Sequence, residues 1–78
     1  MNIDLLVKMA NEISEFFAAE SPPAEAPQAV AQHLRRFWEP RMRRQIIEYV
    51  RDKGGPGLTD LARRGVETLA AAAQPPQA

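Results

Sequence analysis

Large apolar residues recur three or four positions apart at Leu6, Met9, Ile13, Phe16 and Phe17, and Leu5 and Ala10 widen the stripe. That spacing is one face of a 3.6-residue turn and predicts a helix from Ile3 to about Ala19. Asn2 or Asp4 can cap its start, because a short side-chain oxygen accepts from a first-turn N–H that has no helical partner. SPPAEAP ends it, since proline lacks the backbone donor and restricts the residue before it. A second helix resumes at Ala24 to Pro27, where a first-turn proline is tolerated. Val30, Leu34, Phe37 and Trp38 form its apolar stripe.

Pro40 marks the next boundary. It disfavours helical geometry at Glu39, which leaves either a sharp turn or a kinked continuous helix, with Pro40 in the first turn of a third helix. Met42, Ile46, Tyr49 and Val50 give that helix its stripe, with Ile47 beside it. After Lys53 comes GGPG, in which Gly54 or Gly55 can take the left-handed cap conformation and Pro56 cannot continue the helix. Leu58, Leu61, Ala62, Gly65, Val66 and Leu69 make a fourth helix, capped by Thr59 or Asp60. No period-two strand and no internal repeat is present. The fold class expected is all-α: a small bundle of three to four short helices over residues 1–72, with a turn or kink near residue 40 and a disordered tail over 73–78.

Composition narrows what such a bundle can do. The 78 residues include 22 large apolar side chains, and alanine supplies much of the remaining apolar fraction. A single core of that size contributes only a few kcal/mol of net stability, so marginal stability in isolation is expected. The absence of cysteine excludes disulfides, thiolate metal sites and cysteine nucleophiles. MNIDLLVKMANEIS lacks an apolar run with a cleavage site, and no segment approaches a membrane span, so a soluble, cytoplasmic location is the expectation.

Net charge is zero but unevenly distributed. Residues 1–32 hold one lysine and five acids, a net of −4, whereas residues 33–53 hold seven Lys or Arg and three acids, a net of +4. A dipolar chain of this kind either docks oriented on an acidic surface or attracts its own opposite half.

Catalytic parts are missing. The one histidine, His33, has no second metal ligand at a suitable spacing, and Ser14, Ser21, Thr59, Thr68 and Tyr49 lack a base and an orienting acid. Asp4, Glu12, Glu15, Glu20 and Glu25 read as a solvated helix face. GGPG follows a helix rather than a strand and matches neither phosphate-binding glycine pattern, which leaves it the role of helix stop.

The remaining candidate is HLRRFWEPRMRR, residues 33–44. Arg35, Arg36, Arg41, Arg43 and Arg44 could line a nucleic-acid surface, since guanidinium groups pair bidentately with phosphate. A pI near 6.6 and an acidic first half oppose that reading. Alternatively the arginines solvate helix faces and pair with Glu39, Glu48 and the first helix. A protein interface is the third reading, because Trp and Arg are enriched at binding hot spots. Phe37 and Arg41, like Trp38 and Met42, are four apart, so a kinked helix would stack them and a sharp turn would form a knuckle.

Three stretches together carry a family likeness: IDLLVKMANEISEFF, then AVAQHLRRFWEPRMRRQI, then GLTDLARRGVETL after the glycine-rich stop. Over residues 3–70 the chain resembles the delta subunit of soluble NAD-dependent formate dehydrogenase, and HLRRFWEPRMR is the most specific part. The resemblance implies a non-catalytic accessory subunit of a complex that oxidises formate to carbon dioxide and reduces NAD. It implies no cofactor in this chain. A molybdenum or tungsten pterin and iron–sulfur clusters are implied in the alpha subunit, with further clusters and a flavin in the beta and gamma subunits. The partner is then the large alpha subunit, with no nucleic acid and no membrane, and Arg35, Arg36, Phe37, Trp38, Arg41, Met42 and Arg44 are the candidate contacts. Phe37, Trp38 and Met42 would supply apolar contact and Arg41 and Arg44 would bind acidic groups or carbonyls, unless Phe37 and Trp38 simply close the core. A transient assembly chaperone and a nucleic-acid-binding regulator are the alternatives.

Overall fold

The chain, described over residues 2–73 in a computed structural model, folds as four helices: α1 (Ile3–Glu20), α2 (Ala26–Phe37), α3 (Pro40–Lys53) and α4 (Asp60–Ala73). Among the described residues there is no strand. The expected all-α bundle is what forms, with α4 running one residue past the expected end of the domain. The tail expected beyond it falls outside the described residues.

Each boundary has a local cause. Asn2 Oδ1 accepts from the Asp4 N–H at 2.8 Å and starts α1. The Ser21 N–H closes α1 onto the Phe17 carbonyl at 2.9 Å, after which Pro22 and Pro23 prevent continuation. Prolines sit in the first turns of α2 and α3, where no intrahelical N–H is required. Gly54 takes φ +80° at the end of α3, a left-handed cap that an L side chain resists. Thr59 caps α4, its Oγ1 accepting from the Ala62 N–H at 3.1 Å.

α2 and α4 form the most extensive helix pair, α1 packs on both, and α3 packs on α1 and α4. Gly65 sets the α2–α4 approach. A Cβ there would lie 2.7 Å from Val30 Cβ and closer still to Val30 Cγ1, so only glycine lets the two helices meet. Leu6, Val30, Leu34, Ile46 and Val66 are completely buried at the centre, joined by Ala10, Ala31, Trp38, Ala62 and Leu69. Each such Leu, Ile or Val contributes about 1.5–3 kcal/mol by leaving water. Ser14 is the buried polar residue, and its hydroxyl donates to the Ala10 carbonyl at 2.8 Å. No buried side-chain polar atom among the described residues lacks a partner.

The buried line of α1 differs in detail from its expected stripe. It runs Leu6–Ala10–Ser14, with Met9, Ile13 and Phe17 half-buried, while Leu5 and Phe16 are 44% and 60% exposed. Small side chains at positions 10 and 14 admit α1 between its neighbours. At about 100° per residue, Phe16 then falls well outside that line.

The loop after α3 is tied down by side chains. Asn11 donates from Nδ2 to the Gly57 carbonyl and accepts at Oδ1 from the Thr59 N–H, both at 2.9 Å. The Tyr49 hydroxyl donates to the Pro56 carbonyl at 2.6 Å. GGPG is therefore clamped between α1 and α3 and acts as a helix stop.

Candidate partner-docking surface

The junction of α2 and α3 is a sharp turn. Trp38 (φ −88°, ψ 140°) and Glu39 (φ −65°, ψ 151°) are both extended, so α2 ends one residue before Trp38 and α3 begins at Pro40. This resolves the two geometries open in the sequence in favour of the knuckle, and four-apart stacking along a continuous helix does not arise. Pro40 is the reason, because its ring excludes helical geometry at Glu39.

Arg43 holds the knuckle shut. Its Nη1 donates to the Arg35 carbonyl at 2.9 Å and to the Trp38 carbonyl at 2.6 Å, both near the end of α2, where carbonyls have no intrahelical donor. One of the five arginines is thus committed to the fold, a role the linear sequence did not single out.

The adjacent aromatics part ways. Trp38 is 5% exposed and belongs to the core, whereas Phe37 is 70% exposed. Neighbouring side chains near a helix end point about 100° apart, so only one of the pair can enter a core this thin. Trp38 therefore supports the knuckle from inside. In the isolated chain its ring is covered by the fold, and Phe37 is the member of the pair left at the surface. Met42 is half-buried against the core.

Arg35, Arg36, Arg41 and Arg44 are exposed. Among the described residues the ion pairs are Arg51–Asp52 and the Asp60 pairs with Arg63 and Arg64, so these four arginines meet no acid of their own chain. Pairing with Glu39, Glu48 or α1, one of the readings left open by the sequence, does not occur. Arg35 and Arg36 lie in the last turn of α2, where positive charge is favoured by the helix dipole.

A row of rings that the sequence did not announce runs from α1 to the knuckle. Phe16 and Phe17 meet edge to face with centroids 5.1 Å apart, Phe17 meets His33 at 5.9 Å, and His33 meets Phe37 at 4.8 Å. Glu12, Ile13, Phe16, Phe17 and His33 line an open groove along it. The available signal was two pairs of adjacent aromatics, Phe16/Phe17 within α1 and Phe37/Trp38 at the end of α2, since each pair must leave one ring outside. His33 packs between rings, and among the described residues no group of three or more acidic or histidine side chains is placed to hold a metal ion.

A family model for the NADH-dependent formate dehydrogenase delta subunit, FdsD, matches residues 5–66. The chain belongs to that family. The match takes in all but the first two residues of α1, all of α2 and α3 and the first half of α4, and therefore the knuckle and the whole ring row. Searches of curated proteins and of solved structures returned no match. The FdsD chain is accordingly of a kind that serves as a formate dehydrogenase subunit, and among its described residues no helix is long and apolar enough to cross a membrane.

Proposed function

We propose that this FdsD chain is a non-catalytic accessory subunit that binds the large catalytic subunit of a formate dehydrogenase and supports assembly or stability of the complex. The complex oxidises formate to carbon dioxide with reduction of NAD in the cytoplasm. Its molybdenum or tungsten pterin, iron–sulfur clusters and flavin reside in the alpha, beta and gamma subunits. This chain has no cysteine to ligate a cluster.

One observation carries the reading: Phe37 stands 70% exposed within two residues of Arg35 and Arg36, with Arg41 and Arg44 just beyond the turn, and among the described residues none of the four arginines is in an ion pair. Exposed aromatic area beside uncommitted guanidinium groups is the composition of a binding hot spot. Phe37, Arg35, Arg36, Arg41 and Arg44 make the contact, with Trp38 and Met42 shaping the segment from within.

Co-purification with the large subunit tests this. Phe37→Ala and Arg41→Ala each lower the retained fraction at least about tenfold, the scale of a hot-spot truncation. Equal retention of both variants would sink the proposal. Loss of the wild-type chain from complexes already loaded with cofactor would instead identify a transient chaperone.

A further inference from the structure

The ring row has opposite charge at its two ends. At the α1 end, Glu12 and Glu20 lie four residues either side of Phe16 on one helix face, both exposed. At the knuckle end, Arg36 adjoins Phe37 and Arg41 follows the turn, both exposed. Among the described residues none of these four charges is in an ion pair. The middle of the row, Phe17 and His33, is half-buried, and Glu12 lines the groove beside it with Ile13 and Phe16.

Length adds a second constraint. Successive centroid separations of 5.1, 5.9 and 4.8 Å make a row no longer than about three helical turns. Phe16 and Phe37, its terminal rings, are the most exposed large apolar residues among those described. An amphipathic helix laid along a groove contributes apolar anchors at one-turn spacing, so no more than about three turns are needed to span the row.

Building on the accessory-subunit reading, we infer that the Phe16–Phe17–His33–Phe37 row seats one amphipathic helix of a partner subunit, acidic at the end over Phe37 and basic at the end over Phe16. The apolar side chains of that helix cover the rings, and its terminal charges meet Arg36 and Arg41 at one end and Glu12 and Glu20 at the other. Complementary potentials of this kind fix register and direction more than they add affinity. A helix with acidic residues near its N-terminus and basic residues near its C-terminus also suits its own dipole, so its N-terminus lies at the knuckle.

Photocrosslinking within the assembled formate dehydrogenase tests the seat and its polarity. p-Benzoylphenylalanine is placed at Phe16 in one preparation and Phe37 in another, both exposed positions that the fold tolerates, and the captured peptides are identified by mass spectrometry. The expected result is one continuous partner segment, with Asp or Glu within a turn of the residue captured from position 37 and Lys or Arg within a turn of that captured from position 16. As an independent measurement, the double variants Arg36→Glu/Arg41→Glu and Glu12→Lys/Glu20→Lys each weaken association at least tenfold and make it less sensitive to salt. Capture of unrelated segments, of a second copy, or of residues 74–78 of the same chain overturns the inference, as does the reverse charge order. Those results leave the accessory-subunit reading standing if the wild-type chain stays in the complex. Failure of the wild-type chain to associate at all removes both.

Discussion

Gly65 and Trp38 show how much a thin core asks of single residues. A methyl group at position 65 would run into Val30, and Val30 is completely buried, with no solvent side to retreat to. Gly65→Ala is therefore expected to lower stability by about 1–3 kcal/mol in urea denaturation, the scale of overpacking. Val30→Ala in the same chain opens space for the methyl group, so the double variant loses less than the two single losses added. Trp38→Ala empties a core position and costs about 3–5 kcal/mol. Phe37→Ala, its exposed neighbour, changes stability by no more than about 0.5 kcal/mol. The same contrast should be measurable by fluorescence: the emission of Trp38 is expected to be blue-shifted already in the isolated chain and to move little when a partner binds. A red-shifted, solvent-like emission would contradict its placement in the core.

Between elements, polar side chains perform connections that a larger protein would leave to apolar packing. Asn11 reaches from α1 to both the Gly57 carbonyl and the Thr59 N–H, so one amide fixes the end of the loop and the start of α4. Asn11→Leu removes both bonds while keeping a side chain of similar size. It is expected to cost about 0.5–1.5 kcal/mol per bond, the net contribution of a hydrogen bond whose exposed backbone partners can turn to water instead. Faster amide exchange at Thr59, with α2 unaffected, would locate the change in the loop. Arg43 plays the corresponding part at the other turn, binding from within α3 the Arg35 carbonyl in the last turn of α2 and the carbonyl of its cap residue Trp38. It ties the end of α2 to the start of α3 across the turn that separates the exposed Phe37 from the buried Trp38.

For the molecule as a whole, electrostatics bears on association rather than on folding. The ion pairs found among the described residues are exposed and join neighbours within one helix or one step of chain. Exposed pairs contribute about 0–1 kcal/mol each, so the stability of the isolated chain should vary little between low and moderate salt. Association with the large subunit should weaken over the same range, because the uncommitted arginines contribute through attraction that salt screens. Thermal melts and binding isotherms at matched salt concentrations check the two halves of this statement. Partner at a hundredfold its Kd should add about 2.7 kcal/mol to the stability of the chain, which a rise in Tm would record.

The order and ends of the helices were legible in the sequence because their causes are local. Asn2, Pro27, Pro40, Gly54 and Thr59 each act within a turn of their own position, and a helix stripe repeats every 3.6 residues whatever lies opposite. The arginine cluster was legible as well, being contiguous in the chain. Tertiary packing alone decided which member of Phe16/Phe17 and of Phe37/Trp38 faces outward, since the choice depends on how α1, α2 and α4 rotate to close over Ala10, Ser14 and Gly65. It also decided that Arg43 serves the fold while Arg35, Arg36, Arg41 and Arg44 form no ion pair among the described residues. Those outcomes turn on distances between residues far apart in sequence or across a sharp turn, and a one-dimensional pattern holds no record of them.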